Sequence, residues 1–369
     1  MSLGLVILLG LLKAAVVIGA ILNVVPGLIY LERKICAYVQ GRLGPNRVNL
    51  SVPARAPLFG GLRLIPGSLQ PLADGIKLAF KEEIIPRDAD KLLWYMGPLV
   101  SFLPVIAALA FIPFGTSDWV LFGETIDLRV APVPIGVLML FAVSSLGIYG
   151  IAVGGWGSGS KYPLMAAVRA SAQMISYEVA MGLAILAAIA TTGAVDAQEI
   201  VRVQASQKLL GVLPNWLIFT QPLAALIFIV AMFAENNRLP FDLPEAEPEL
   251  VGGYHTEYSG LKFGLFFLGE YAAMCLMCAL FTTMFLGGWS LPGLVEPGMT
   301  DTLTALLSMA VFGAKVMALL TFQIWIRWTL PRFRYDQLMH LGWKVMVPLA
   351  LLNLVATAIA LTFTGGPAA

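Results

Sequence analysis

The sequence is poor in charge, because Asp, Glu, Lys and Arg make up only 12% of its 369 residues, whereas hydrophobic residues make up 59%. This balance excludes an ordinary soluble domain and is typical of a protein that crosses a membrane several times. The net charge is +1, so we expect no nucleic-acid partner. Phosphate-binding glycine loops, dinucleotide fingerprints and haem-attachment motifs are also missing. We therefore expect the chain to carry no redox cofactor of its own.

Cysteine and histidine are scarce, with three and two residues respectively, which excludes a disulfide framework. Cys275 and Cys278 form a CxxC pair in the apolar run CLMCALF, with no further cysteine or histidine nearby. A structural metal site needs more ligands than this. We expect both thiols to be small packed core residues and the chain to hold no metal.

Eight apolar runs are long enough to cross a bilayer as helices. They lie near residues 4–30, 97–114, 132–153, 171–192, 216–234, 263–286, 304–326 and 345–364. We predict an all-α polytopic membrane protein with eight transmembrane helices in one domain over residues 1–369. The first run is too long for a signal peptide and lacks a basic start and a small-residue cleavage site, so we interpret it as a retained span.

The basic residues predict the orientation in the membrane. Most of the 23 lysines and arginines lie in loops after odd-numbered spans, whereas the opposite loops contain only Arg129, Arg202 and Lys208. By the positive-inside rule, the polar loops at residues 32–91 and 235–262 face the cytoplasm. Both termini then lie on the periplasmic side.

One acidic stretch, ENNRLPFDLPEAEPELVGGYHTEYSG, joins the fifth and sixth spans. It sets six carboxylates against one strong base, Arg238; the acids are Glu235, Asp242, Glu245, Glu247, Glu249 and Glu257. Its three prolines disfavour helix, so the stretch should fold back irregularly. Because crowded carboxylates disfavour each other's ionisation, such a cluster can store and release protons. A solvated acidic surface loop is the alternative.

Ionisable residues inside the spans favour a functional role for these acids. Glu270 lies about eight residues inside the next apolar run, where a charge costs about 2.5–3.5 kcal/mol unless it faces a partner or water. Lys315 lies midway along the seventh span, and we expect a water-filled or acidic neighbour for it, with snorkelling as the alternative. The acids therefore lead from the loop into the membrane interior.

Polar residues also enter the fourth span. Arg169, Gln173 and Tyr177 recur at every fourth position and share one helix face, with Glu178 beside them. Polar groups buried at this depth must find partners. We expect this row to lie inside the helical bundle.

The end of the first span reads LERKICAYVQGRLGPNRV and places Glu32 beside Arg33, with Arg42 following. A paired acid and base at a helix end can line a wet cavity, and simple basic anchoring is the alternative. Farther on, SLQPLADGIKLAFKEE predicts an interfacial amphipathic helix over residues 69–83. Asp74 and Lys77 lie on its charged side.

Four motifs in this order resemble those of one family. They are ERK followed by GRLGPNRV, SKYPLMAAVRASAQMISYE, the acidic stretch, and PRFRYDQLMHLGWK. Together they resemble the quinone-module membrane subunit of respiratory complex I, which is the H subunit in bacteria and subunit 1 in mitochondria. The resemblance covers nearly all of the chain, although the link between GPNRV and LQP is longer here.

The resemblance implies a subunit of proton-pumping NADH:quinone oxidoreductase in a bacterial inner membrane. Such a subunit forms the quinone chamber at the junction with the peripheral arm and couples quinone reduction to proton translocation. The implied quinone-binding residues are Glu32, Arg33, Arg42, Asp74, Lys77, Asp242, Glu245 and Glu247. The implied proton path contains Tyr177, Glu178, Glu235, Arg238, Glu245, Glu247, Glu249, Glu257, Glu270 and Lys315.

The resemblance also implies partners. Quinone is then the substrate, while iron–sulfur clusters and FMN belong to subunits of the peripheral arm. Other membrane subunits and the lipid bilayer surround the chain, and Arg332, Arg334 and Asp336 hold a helix end against neighbouring subunits. Two other functions stay open. One is the homologous ion-translocating subunit of a membrane-bound hydrogenase-type complex, and the other is a proton-coupled secondary transporter, although the two halves of the chain share no visible repeat.

Overall fold

The computed structural model describes residues 3–48, 50–51, 63–121, 124–206, 208–209, 213–243 and 251–364. Its helices are α1 (Leu3–Val39), α2 (Gln70–Phe80), α3 (Lys91–Ala108), α4 (Gly136–Gly157), α5 (Lys161–Thr192), α6 (Ala197–Ser206), α7 (Leu217–Thr220), α8 (Pro222–Glu235), α9 (Gly260–Phe285), α10 (Thr302–Arg327), α11 (Tyr335–His340) and α12 (Val347–Thr364). A π-helical segment, Leu341–Met346, joins α11 and α12 into one rod. Short 3₁₀ turns occupy Leu109–Phe111 and Gly253–His255.

Strands are few and short in the described ranges. Three antiparallel hairpins pair β1 (Leu50–Ser51) with β2 (Arg63–Ile65), β3 (Trp119–Leu121) with β4 (Glu124–Ile126), and β5 (Lys208–Leu209) with β6 (Leu213–Pro214). All three lie in loops between helices. The architecture is therefore a helical bundle, as the apolar runs predict.

Seven helical segments in the described ranges are long and apolar enough to cross a membrane. They are α1, α3 with its 3₁₀ turn, α4, α5, α9, α10 and the α11–α12 rod. This confirms the all-α polytopic fold class. The core forms around α9, which packs against α3, α8 and α10, while α5 packs against α4, α8 and α12. Cys275 and Cys278 are buried in α9, as expected for core residues.

The predicted fifth span is a broken helix rather than a continuous one. The four-residue α7 ends at Thr220, and Gln221 leaves helical geometry before Pro222 starts α8. Proline is favoured at the first position of a helix, where its missing N–H has no intrahelical partner to lose. The 14 residues of α8 extend about 21 Å, which is shorter than a hydrocarbon core of about 30 Å. This helix therefore ends inside the bundle.

Helices α3 and α4 approach each other unusually closely. A Cβ atom built on Gly150 would overlap the backbone of Ser101, and one built on Gly97 would lie 2.6 Å from the Cα atom of Gly154. Small residues at a helix interface permit this contact, which supplies packing energy where the hydrophobic effect cannot. The close packing fixes Ser101 at the edge of an interior cavity.

The first polar loop begins later than the sequence predicts. Residues 32–39 continue α1 as regular helix, so Glu32 and Arg33 are helical residues and not part of a loop over 32–91. The predicted interfacial helix is present as α2, and its apolar side chains Leu72, Ile76 and Phe80 are exposed. Arg33 Nη1 lies 2.7 Å from Asp74 Oδ2 and ties α2 to α1.

Candidate functional site

The acidic stretch begins inside the bundle. Its first residues are buried, namely Asn236, Asn237, Arg238, Phe241, Asp242 and Leu243. Gln173 contacts this segment and follows Lys161, the first residue of α5, by 12 positions, which corresponds to about 18 Å along the helix. Irregular backbone at such depth is tolerated only where it is buried in protein or lines a water-filled cavity. Residues 236–243 form what we call the buried segment.

A local signal in the sequence ends α8. Asn237 adopts a left-handed conformation with φ of 49°, which asparagine tolerates better than most side chains. Its backbone N–H donates to Ala234 O at 3.3 Å, and that of Arg238 donates to Phe233 O at 3.1 Å. This pair of bonds is a Schellman motif, which satisfies carbonyls at a helix end. It makes Glu235 the last helical residue and turns Arg238 inward.

Two buried carboxylates share two arginines where the buried segment meets α1, α9 and α10. Glu32 Oε1 pairs with Arg327 and lies 3.3 Å from Arg238 Nη1. Arg238 Nε lies 2.7 Å from Glu270 Oε1. Tyr271 Oη donates to Glu32 Oε2 at 2.5 Å, and its ring lies 4.5 Å from the Arg238 guanidinium. These five residues are called the charged cluster.

The charged cluster balances two acids with two bases, and three of these four groups are shielded from water. Side-chain exposure is 8% for Glu32, 4% for Arg238 and 9% for Glu270, whereas Arg327 is 25% exposed. Taking an ion out of water costs several kcal/mol, which mutual attraction offsets only when each charge keeps its partner. A change in charge at one member therefore alters the balance at the others. This coupling is what a site that converts one charge movement into another requires.

Glu235 and Glu270 line the same internal cavity of about 50 Å³. Ser101, Ser144 and Asn236 also border it. Glu235 Oε2 and both side-chain amide atoms of Asn236 are buried and make no hydrogen bond to any residue that the structure describes. Since a water molecule needs about 10–15 Å³ and two to four polar partners, the cavity suits a few waters. Such waters would connect the two glutamates.

The polar row on α5 lies against this site, as the four-residue spacing predicts. Gln173 and Tyr177 are fully buried, and Tyr177 Oη donates to Leu338 O at 2.9 Å. Arg169 lies over the Tyr335 ring at 5.2 Å. Glu178 is half-buried and is close enough to Glu235 for their charges to interact.

The far end of the buried segment is held by a second ion pair. Arg332 Nη2 lies 3.1 Å from Asp242 Oδ2, so the basic tail contacts an acid of this same chain. Burial raises the pKa of the Asp242 carboxyl, although Arg332, Arg327 and Arg238 oppose that effect. Burial lowers the pKa of the His255 imidazole, while Glu270 and Asp242 oppose it.

Several other implied residues that the structure describes lie outside this buried site. Arg42 is exposed and contacts Gln40, Lys77 is exposed on α2, and Glu257 is half-buried in the turn before α9. Arg33 and Asp74 pair near the surface. Glu245, Glu247 and Glu249 fall within 244–250, outside the described residues, as does the greater part of the long link at 52–62.

Lys315 contacts backbone rather than an acid. Its Nζ donates to the carbonyls of Leu286, Gly288 and Ser290 at 2.7, 2.9 and 2.7 Å and lies 4.5 Å from the Trp216 ring. These carbonyls follow the end of α9, where helix dipole and orphan carbonyls favour a cation. Where the sequence predicts a water-filled or acidic neighbour, Lys315 instead caps α9 within the described residues.

Sequence reasoning missed several members of the site. Arg327 and Tyr271 enter the charged cluster, and Ser101, Ser144 and Asn236 border the cavity. Arg327 ends the seventh apolar run, which reads as ordinary anchoring. Tyr271 follows Glu270 directly, so its closeness to a buried acid was a usable signal.

These features define a class: a multi-pass helical membrane protein with buried carboxylate–arginine pairs joined to an interior polar cavity. Comparisons with known proteins narrow it. The family model described as NADH dehydrogenase matches residues 12–358. The chain belongs to this family.

Relatives match along nearly the full length. The H subunit of the NADH-quinone oxidoreductase of Syntrophotalea carbinolica is 45% identical over 98% of both chains. The H subunit of the same enzyme from Flavobacterium psychrophilum is 45% identical over 89% of this chain and 90% of its own. NADH-quinone oxidoreductase subunit 8 of Rhodothermus marinus is 43% identical over 94% of this chain and 96% of its own. The resemblance to the bacterial H subunit is thereby confirmed.

Proposed function

We propose that this chain is the membrane subunit of an NADH:quinone oxidoreductase that forms the quinone chamber and couples quinone reduction to proton translocation. The names of its relatives supply the reaction. The observation that carries the coupling is that Arg238 is shared between Glu32 and Glu270, while Glu270 shares a cavity with Glu235. One arginine thus connects the end of α1 to the interior acids.

The quinone headgroup binds near the end of α1. The residues that surround the headgroup are those that the resemblance implies, namely Glu32, Arg33, Arg42, Asp74, Lys77, Asp242, Glu245 and Glu247. Iron–sulfur clusters and FMN in peripheral-arm subunits deliver the electrons, and this chain supplies no redox cofactor. Reduction of a quinone to a quinol takes up two electrons and two protons. Negative charge therefore develops next to the charged cluster before protons arrive.

The charged cluster converts this charge into proton uptake. Negative charge near Glu32 attracts Arg238 and Arg327 and loosens their hold on the two carboxylates. A carboxylate that loses part of its cationic neighbourhood binds a proton more readily. Glu270 then passes protons through cavity waters to Glu235 and on to Glu178, which adjoins the exposed face of α5. Glu245, Glu247, Glu249 and Glu257 gather protons at the entrance.

Replacing one acid by glutamine in the assembled complex tests this path. Glu270→Gln and Glu235→Gln should lower quinone-dependent turnover and proton pumping together, with assembly and artificial-acceptor reduction intact. Glu296→Gln is the matched control, since Glu296 is exposed in an outer loop. If both interior variants turn over and pump like the parent at every pH, the acids are structural and the path does not exist.

Partners and orientation are tested separately. Subunits that carry iron–sulfur clusters and FMN should co-purify with this chain. Nickel in the purified complex would instead identify a hydrogenase-type complex. Purification of the chain without partners would identify a transporter. We propose that the termini face the periplasm, so single cysteines placed near Lys161 and Arg334 should react from the cytoplasmic side in inverted vesicles. Labelling from the outer side would reverse the topology.

A further inference from the structure

The Gln173 side chain on α5 hydrogen-bonds both to the last turn of α8 and to the buried segment. Its Nε2 atom lies 2.8 Å from Ala234 O, 2.9 Å from Phe241 O and 3.2 Å from Asn237 Oδ1. The side chain is 0% exposed. Since a side-chain amide has only two N–H hydrogens, three oxygen acceptors saturate this group. The Nε2 donor is thus fully used, whereas the buried Oε1 atom makes no hydrogen bond to any residue that the structure describes.

The three acceptors mark the points where the chain changes direction. Ala234 O belongs to the last turn of α8 and also accepts the Asn237 N–H of the Schellman motif. Phe241 O lies near the other end of the buried segment. Gln173 thus pins both ends of residues 234–241, and Arg238 lies between the pinned points.

Glu235 lies next to one of these contacts. It follows Ala234 directly, and its Oε2 atom has no hydrogen-bond partner among the described residues, so its place in the cavity is set by its backbone. Gln173 also lies on the same helix as Glu178, whose charge interacts with that of Glu235. A neutral donor fixes the separation of these two acids without neutralising either, which a lysine or arginine here could not do.

We infer that Gln173 is a positioning residue that sets the protonation behaviour of Glu235 by holding the end of α8 and the buried segment against α5. This inference rests on the proposed proton path. A residue that only braces the fold would affect assembly or stability, whereas a positioning residue changes how activity depends on pH.

Gln173→Leu in the assembled complex tests the inference, because leucine keeps an apolar body of similar bulk and removes every donor. Quinone-dependent turnover should fall at least about tenfold, as expected when a reacting group is misplaced, and its pH profile should shift. Hydrogen exchange at the amides of residues 236–243 should become at least about tenfold faster. Ser171→Ala is the control, since Ser171 bonds only within its own helix in the described structure.

A second background makes the test specific. In Glu235→Gln complexes, adding Gln173→Leu should produce no further shift of the pH profile. Faster exchange with the parental pH profile would mean that Gln173 only stabilises the fold, and would overturn the inference. Unchanged exchange together with unchanged turnover would overturn it as well. If Gln173→Leu prevents assembly, Gln173→Asn keeps the amide on a shorter side chain and should give the same shift in smaller measure; a parental profile there overturns the inference too.

The two proposals fail in different ways. A Glu235→Gln complex that works like the parent at every pH removes the proton path, and the role of Gln173 in it falls as well. A Glu235→Gln complex with altered turnover beside a Gln173→Leu complex with parental turnover leaves the path standing and overturns only the inference.

Discussion

Arg238 and Glu32 lie 206 positions apart in the chain, yet their side chains meet at 3.3 Å with little exposure to solvent. The same guanidinium reaches Glu270 at 2.7 Å. One cation therefore joins the first helix, the buried segment and the central helix α9. Loss of this cation should therefore weaken the packing of all three elements.

Removing the shared arginine should destabilise the protein strongly. Arg238→Met leaves Glu32 and Glu270 without the cation that they share, and breaking a buried ion pair from one side costs about 3–5 kcal/mol. We expect little assembled protein. Adding Glu270→Gln should restore part of it, because one buried negative charge is removed. Arg87→Met, at an exposed arginine outside the charged cluster, should assemble like the parent, and equal yields for Arg238→Met would show that the pairs contribute nothing.

The pair between α1 and α2 should matter to quinone use and little to stability. Arg33 and Asp74 have side-chain exposures of 46% and 34%, and surface pairs contribute about 0–1 kcal/mol. Arg33→Ala should therefore assemble normally, lower quinone-dependent turnover and leave artificial-acceptor reduction unchanged. Arg87→Ala, also exposed, should change neither. Equal loss of both activities in Arg33→Ala would point to failed assembly.

Lys315 should behave as a structural cap. Lys315→Met removes three hydrogen bonds to carbonyls beyond α9, each charge-assisted bond contributing about 1.5–3 kcal/mol before compensation. We expect a lower thermal midpoint with an unchanged pH profile of turnover. Lys344→Met, at an exposed lysine, should keep the parental midpoint. A shifted pH profile in Lys315→Met would instead show that Lys315 takes part in the proton path.

A methyl group should be tolerated poorly at Gly150, in the close contact of α3 and α4, and well at Gly313 on α10. Gly150→Ala places a methyl group on the Ser101 backbone, and such overpacking costs about 1–3 kcal/mol. A Cβ at Gly313 meets nothing within 4 Å, so Gly313→Ala should be neutral or stabilising by about 0.5–1 kcal/mol. Thermal midpoints of the two variants should move apart. Similar midpoints would mean that α3 and α4 separate at little cost.

His255 should contribute to acid sensitivity. Burial lowers the pKa of its imidazole in the folded protein, whereas the unfolded chain has the ordinary value of about 6.5. Between these values the unfolded state binds more protons, so stability rises with pH and falls on acidification below about 6.5. His255→Gln should lose less thermal stability than the parent between about pH 7.5 and 5.5. His340→Gln, at an exposed histidine, should match the parent; an equal loss in His255→Gln would exclude this contribution.

The long helices could be predicted because hydropathy is a local property, and the runs around α5 and α9 are unambiguous. The break in the fifth span could not be predicted from hydropathy, since residues 216–234 form one apolar run, although Gln221–Pro222 and Asn237 carry the start and stop signals. The partners of Glu32 could not be predicted from the sequence. Arg238 and Arg327 lie 206 and 295 positions away, and a single sequence does not say which distant charges meet. For Lys315 the prediction was a water-filled or acidic neighbour, because an isolated sequence does not show where α9 exposes its last carbonyls.

The dependence of the buried segment on other helices has a consequence for biogenesis. Its backbone and charges find partners on α5, through Gln173, and on α1 and α9, through Glu32 and Glu270. Two of these helices are synthesised before the segment, but α9 follows it. Until α9 is inserted, Arg238 therefore lacks its Glu270 partner. The short α8 cannot reach its final depth before then. Completion of this region is a late step, coupled to the arrival of the sixth predicted span.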